Sequence, residues 1–517
     1  MFILNPGFIY LISSVGLFFL KEKYNKFLAL ITSFLVLGMV YNLEMGQKLI
    51  LPFLDFELVL LSVDEVSRVI GLVFAFFALA SFIYSIKFTT KKQYCLLSIY
   101  IGSSLSLVFV ADLFSFYVFW ELMTIASYFL ILDKDLVLTK KTSMYYFLLH
   151  MTGAVVLLFG IMLQYVNSGS ILLTTVEHGI PFFVIAVAIK MAFVGFHTWL
   201  PRSYSEVPFI ISVALSAYTT KVGAYGLYRL LEGHYLAYAG LISALFGAVL
   251  ALKQKNLRKL LSYQIMAQVG FVLVAIGVAT SLGAIGGIAH LFNHVLYKGL
   301  LFMVVGVIIY TTGKEDLFEL KGLAKKLPVT TIFMLIASLS SAGLPLFGGY
   351  ISKKIIMEGV NSSILVWGLY LVGIATSLVF LKVIYFVFFR DGNLELKNRP
   401  SFSMQLGMGL VATLIIIIGV RPQLIETLFA VNLEVAYFDL VSLWEGIQPV
   451  LIAVLIFKFI PFIIDSKEVI EVKDIYPVFG QGFKYLGVKL SDLHTGKLNR
   501  YFYWLMTTLL VVWFILS

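Results

Sequence analysis

The sequence predicts an all-α polytopic membrane protein of about 14–16 transmembrane helices. Three observations carry that prediction. Of 517 residues, 60% are hydrophobic and only 13% are charged, whereas soluble domains are roughly half apolar and about a quarter charged. Apolar runs long enough to cross about 30 Å of hydrocarbon recur along the chain. The basic residues also gather in alternate connections between those runs.

In chain order the runs lie near 3–20, 27–43, 66–86, 94–111, 113–132, 143–166, 180–198, 207–231, 236–252, 260–280, 283–311, 329–358, 362–389, 403–420, 447–464 and 501–516. The first has no basic stretch before it and no small-residue cleavage site, and its lysines follow the apolar segment. It is therefore expected to remain as a span rather than to be removed as a signal peptide. KEKYNK, KFTTKK, DKDLVLTKK, KQKNLRK, KEDLFELKGLAKK and RDGNLELKNR follow runs 1, 3, 5, 9, 11 and 13. Each is an odd-to-even connection, so all six share one membrane face. The basic stretch from Asp465 to Arg500, after run 15, falls on that face too. The positive-inside rule places this face in the cytoplasm and the N-terminus outside, as expected of a multi-pass protein of the cell membrane. The net charge of +10 is thereby topological, and no nucleic-acid partner is expected. With Cys95 the single cysteine, neither a disulfide framework nor a cysteine-ligated metal can be built. No metal or cofactor site is expected.

Ionisable residues within the runs carry the functional signal, because a charge facing lipid is expensive. Glu121 lies in FYVFWELMTIASYFLIL, roughly 12 Å into its run at about 1.5 Å per residue. Lys190 and Lys221 are central in the seventh and eighth runs. In HLFNHVLYKGLLF, His290, His294 and Lys298 are four apart and share one helix face. Lys353 follows a glycine- and proline-rich stretch, SSAGLPLFGGYISKK. Together these residues imply a polar, hydrated row inside the bundle. For Glu121 the competing reading is a structural ion pair; for the histidine face it is a satisfied interhelical cluster. Lys354, Lys382 and Arg229 lie nearer span ends and are expected to snorkel. His150 and His197 are expected to be packing residues.

Two runs look broken. Pro201 and Pro208 bracket a polar link after the seventh, and Gly343, Pro345, Gly348 and Gly349 interrupt the twelfth. Irregular backbone at membrane depth is tolerated where it lines a cavity or is buried in protein. The breaks are five runs apart, and an odd-numbered repeat must appear inverted. Runs 4–8 and 9–13 are therefore candidate inverted repeats, with Lys190 and Lys353 in corresponding places. Paired discontinuous helices point to an ion pathway at the repeat interface. The expected divisions are 1–93 for the N-terminal spans, 94–231 and 236–389 for the repeats, and 390–517 for the C-terminal spans with the basic segment.

The stretches FVFWELMTIASYFLI, AIKMAFVGFHTWLP, TTKVGAYGLYR, HLFNHVLYKGLLF and GLPLFGGYISKK, in this order, resemble the antiporter-like subunit family. That family is shared by respiratory complex I, Mrp-type Na⁺/H⁺ antiporters and membrane-bound energy-converting hydrogenases. The resemblance runs from about Asp64 to Lys382. It implies that Glu121 pairs with Lys190, that Lys221, His290, His294 and Lys298 extend a hydrated axis, and that Lys353 closes the path towards the far side. Arg202, Phe209 and Ile210 depart from the family pattern, as does Glu65, which stands where a glycine usually follows the aspartate.

The resemblance further implies a proton-translocating subunit, with Na⁺ coupling left open, working beside other membrane subunits and driven by a redox module in those partners. A subunit of a dedicated Mrp-type antiporter without redox chemistry is the alternative, and a silent scaffold the third reading. No redox or catalytic centre is expected in this chain. The mechanism expected is a switch: a carboxylate beside a buried lysine favours its proton, and separation releases it. The histidines suit a relay because their ordinary pKa lies near neutrality.

Overall fold

The computed structural model describes residues 4–132, 137–231, 236–459, 488–489 and 506–507. The chain falls into two units, Met1–Ile470 and Glu471–Ser517. In the second, only two helical pairs, Val488–Lys489 and Met506–Thr507, are described. The sixteenth run and most of the basic stretch before it lie outside the described residues.

The first unit is nearly all helix. Its helices are α1 (Pro6–Phe19), α2 (Glu22–Tyr41), α3 (Glu65–Ser85), α4 (Lys91–Phe109), α5 (Leu113–Ile131), α6 (Val137–Ser168), α7 (Ile180–Met191), α8 (Trp199–Glu206), α9 (Phe209–Leu231) and α10 (Ala237–Leu252). They continue as α11 (Leu257–Gly277), α12 (Ser281–Thr312), α13 (Leu323–Lys326), α14 (Pro328–Ala342), α15 (Gly348–Gly359), α16 (Ser363–Val383), α17 (Phe402–Val420), α18 (Gln423–Phe429) and α19 (Leu440–Phe459). A π-helical segment, Ile384–Phe389, extends α16. Among the described residues, nine helices are long and apolar enough to cross a membrane. α12 and α11 are almost wholly buried, whereas α2 and α19 leave most of their surface outward.

The twelfth run is interrupted as expected, at 343–347 between α14 and α15. In the seventh the interruption comes earlier than the proline-bracketed link: α7 ends at Met191 inside the run, and most of the link from Pro201 to Pro208 is itself helical, as α8. Both end their first half in the same way. Ala192 and Gly343 adopt the left-handed region at φ 59° and 87°. The next amide then donates five residues back, from Phe193 to Ala188 and from Leu344 to Leu339, as in a Schellman cap. An order of three long helices, a broken one and another long one occurs twice, as α4–α9 and as α10–α16.

A hairpin, like the short helices α13 and α18, has no counterpart among the runs read from the sequence. β1 (Lys48–Phe53) and β2 (Phe56–Ser62) form an antiparallel hairpin, turning at Leu54, whose φ is 53°. Buried Asn5 donates to Leu60 O, and Asp112 accepts from the Val59 amide while capping α5 through the Ser115 amide. Hydrogen bonds among the connections respect the alternation expected of spans. The hairpin bonds to the segments at 111–113, which bond to 171–173. On the other set, Arg258 binds Glu315 at 2.5 Å and also reaches Val207 O, and the Lys397 amide donates to Thr311 O.

Arg229 is a correction: it does not snorkel but pairs with Asp64 at 2.7 Å and binds the Tyr225 hydroxyl. Asp64 also caps α3 through Ser67. Burial pushes its carboxyl upward, but Arg229 and the Ser67 bonds outweigh that and leave it below the usual carboxylate value. A depressed folded value stabilises above the unfolded pKa, and the gain is lost as pH falls through the folded one. Asp64→Asn should therefore lower the melting temperature of the solubilised complex near neutral pH. That gap should close below about pH 4, and a gap constant with pH would refute the assignment.

Candidate ion-translocation site

Lys190 sits in the last turn of α7 and is 1% exposed. Its amine donates to the Thr124 hydroxyl at 2.9 Å and lies 4.6 Å from the centre of the Trp120 ring. Trp120 and Thr124 are one turn apart on α5 and flank Glu121. No salt bridge joins Lys190 to Glu121, however. Among the described residues, neither buried Glu121 carboxylate oxygen has a hydrogen-bond partner, yet the two groups are near enough for their charges to act on one another. The direct contact pair implied by the family resemblance is thus replaced here by a separated pair, with the amine parked on neutral partners of the same helix.

α7 is held against α9 at Gly223, where an added Cβ would lie 3.1 Å from Lys190 Cβ. Two residues away, Lys221 is fully buried and its amine bends back to the Ser216 carbonyl. His294, on α12, lies within the electrostatic reach of Lys221, Lys298, His290 and Lys353. Among the described residues, both its ring nitrogens are buried without a partner, as is the Lys298 amine. Lys298 faces the Phe380 ring at 5.5 Å. A buried polar group without a partner is costly, and here three such nitrogens share one turn of α12.

His290 is better supported. Its Nδ1 lies 2.9 Å from the Ser352 hydroxyl and its Nε2 lies 3.2 Å from the Tyr297 hydroxyl. Tyr297 donates to Gln268, which donates to Thr376. Ser352 precedes Lys353, so the chain of contacts leads from α12 to α15. The Lys353 amine donates to the Ser341 carbonyl at 2.7 Å and lies 4.8 Å from the centre of the Phe271 ring. The carbonyls at the end of α14 lack helical donors because of the break, and the helix dipole also favours a cation there.

Lys190 and Lys353 differ in one respect from the sequence expectation. Lys190 precedes its break, whereas Lys353 follows its own. Lys353 nevertheless reaches back across it to the carbonyl end of α14, whereas the Lys190 amine leaves α7 for Thr124 on α5. The structure thus brings Glu121 and Lys190 close, gathers His290, His294, Lys298, Lys221 and Lys353, and seats them all inside the bundle.

Lys354 and Lys382 do not snorkel either. Lys354 is 9% exposed and bound by two carboxylates, and the Lys382 amine donates to the Leu252 carbonyl at the end of α10. His150 stacks on Tyr146, as a packing residue should, but also lies within electrostatic reach of Lys190. Sequence reasoning missed Trp120, Thr124, Tyr297, Gln268 and Ser352. Neutral residues are common in spans, and only their placement beside the charged row distinguishes them. Among the described residues, no group of three His, Cys, Asp or Glu side chains could hold a metal ion.

Residues 110–379 match the family described as NADH:quinone oxidoreductase/Mrp antiporter, transmembrane, and the chain belongs to that family. A candidate antiporter subunit, mnhD2, of Staphylococcus saprophyticus is 30% identical over 356 residues, covering 63% of this chain and 70% of that protein. Its counterpart in Staphylococcus aureus strain N315 is 30% identical over 355 residues, with the same coverage.

Among solved structures, a chain of the membrane-bound sulfane sulfur reductase, an archaeal respiratory membrane complex, superposes with a TM-score of 0.80 at 23% identity, covering 98% of this chain and 99% of that one. A chain of the Mrp complex from Dietzia sp. DQ12-45-1b also gives 0.80, at 21% identity over 98% and 62%. A chain of respiratory complex I from Thermus thermophilus gives 0.73, at 20% identity over 86% and 99%. At these identities the likeness is one of fold.

Proposed function

We propose that this chain moves protons along the row Glu121, Lys190, Lys221, His294, Lys298, His290 and Lys353, as one subunit of a multi-subunit complex of the cell membrane driven by a redox module in its partners. The observation that carries the proposal is the seat of Lys190. Its amine rests on Thr124, three residues from a buried and unpartnered carboxylate on the same helix. A side-chain swing within one helical turn takes the amine from a neutral partner to a charged one. Pairing favours the proton on Lys190, and parting releases it towards Lys221 and the histidine face. Amines and imidazoles carry protons but provide no oxygen ligands of the kind Na⁺ prefers, which supports protons as the ion in this row.

The six basic connections and the positive-inside rule support a cytoplasmic location for their face and an outer location for the hairpin. The recurring helix order supports the division at 94–231 and 236–389, with 1–93 and 390–517 flanking the repeats. A second reading, a dedicated Mrp-type Na⁺/H⁺ antiporter without redox chemistry, is favoured by the mnhD2 relatives. Affinity purification of the native complex from its membranes separates the two. Co-purifying iron–sulfur subunits are the expected result; small antiporter subunits alone would establish the second reading. Absence of any proton movement by the intact complex in sealed vesicles would overturn both.

A further inference from the structure

Beside the proposed end of the row, Lys354 raises a separate question. Its largely buried amine lies 2.8 Å from Glu358 on its own helix and 2.7 Å from Glu445 on α19. Both carboxylates are about half exposed. A cleft of about 630 Å³ lies between α15, α16 and α19, lined by both Lys353 and Lys354 and by Phe271, Tyr370, Glu445 and Gln448. The buried end of the row and the Lys354 ion pairs therefore share one cavity, and α19 forms a wall of it.

α19 is built unevenly around this point. At Gly446 an added Cβ would lie 2.6 Å from the Tyr350 ring, so the turn bearing Glu445 is pressed onto α15. Pro449 lies inside the helix and has no amide hydrogen, so the Glu445 carbonyl four residues earlier receives no helical bond. Such a position is a common site of helix bending. On the hinge itself, Gln448 accepts from the Tyr370 hydroxyl and the Pro449 ring packs on Gly373, tying that turn to α16. Before the hinge, α19 is tied to α15 by the Lys354 pair, with the Tyr350 hydroxyl donating to Tyr437 O just upstream.

We propose that α19 is a gate on this cleft: the Lys354–Glu445 pair latches the turns before Pro449 across its mouth, and unlatching admits water to Lys353. The assignment of Lys353 as the recipient rests on the proton route above, whereas the latch rests on the cleft, the ion pair and the proline. Glu358 keeps Lys354 neutralised when Glu445 is removed, so breaking the latch leaves no lone buried cation.

The test uses the intact complex in native membranes, with Cys95→Ser and a reporter Met357→Cys in the cleft lining. A small water-soluble methanethiosulfonate reagent reads access to the cleft. Glu445→Gln should raise the modification rate about fivefold, as loss of one partly exposed ion pair allows. Glu358→Gln, which leaves the latch in place, should change it less than twofold. Pro449→Ala restores the missing amide and should slow modification below the parent rate. Equal rates for Glu445→Gln and the parent, or a rise with Pro449→Ala, would overturn the gate. Transport by a Lys353→Ala variant is scored separately: full transport would sink the route while leaving the labelling result to judge the latch.

Discussion

Lys190→Ala should abolish proton translocation by the assembled complex, with a loss of at least about a hundredfold, typical of removing a positioned proton-transfer group. The amine is buried on α5 beside Glu121, and no other lysine lies on α7. Alanine leaves the Thr124 hydroxyl bonded to the Trp120 carbonyl one turn back, so the local helix has no new orphan. Assembly should therefore survive. Glu121→Gln should have a similar effect for the opposite reason: the amine keeps its resting seat but loses the charged partner it would move to. Proton uptake into sealed vesicles, read with a fluorescent pH dye and normalised to assembled complex, measures both. Full transport by either variant, at normal assembly, would refute the switch.

Gly349→Val should act on folding rather than on transport. A Cβ at Gly349 would sit 1.9 Å from the Ser340 carbonyl oxygen, a backbone atom on the other half of the broken helix. The Gly349 amide also donates to the Ser340 hydroxyl at 3.1 Å. α14 and α15 could not remain in register; overpacking typically costs about 1–3 kcal/mol, and this clash is with backbone, which cannot swing aside. The expected result is little or no chain accumulated in the membrane by immunoblot. Gly38→Ala is the control: nothing lies within 4 Å of its added Cβ, and alanine is the better helix former. If Gly349→Val accumulates as well as Gly38→Ala, the close packing at the break is refuted.

The fold was legible wherever burial cost speaks loudly. Long apolar runs announced the helices, and glycine with proline announced the break in the twelfth run; in the seventh the prolines marked the ends of α8, and the break lies just before it. The hairpin at 48–62 was not read, because LILPF and FELVLLS are short, apolar and only weakly alternating beside much stronger helical signals. At the site, Glu121, the lysines and the histidines were legible because a charge or imidazole at such depth needs a reason. Their partners were not: Thr124, Ser352 and Gln268 are ordinary in a span until neighbouring helices converge on them. End-of-span cations were misread for a related reason. Snorkelling assumes water is the nearest polar partner, but Arg229, Lys354 and Lys382 find Asp64, two glutamates and a helix end closer at hand.

The described bonds among the connections join odd-to-even ones to one another and even-to-odd ones to one another, so each set is stitched to itself. Mechanically, the bundle resembles two plates held apart by struts. Continuous helices are stiff struts, whereas a break lacks the ladder of hydrogen bonds that resists bending. A sideways shift of one plate over the other would therefore be taken up first at 192–198 and 343–347. Lys190 and Lys353 are anchored at those two joints, so sliding at a surface becomes a displacement of charge at the centre.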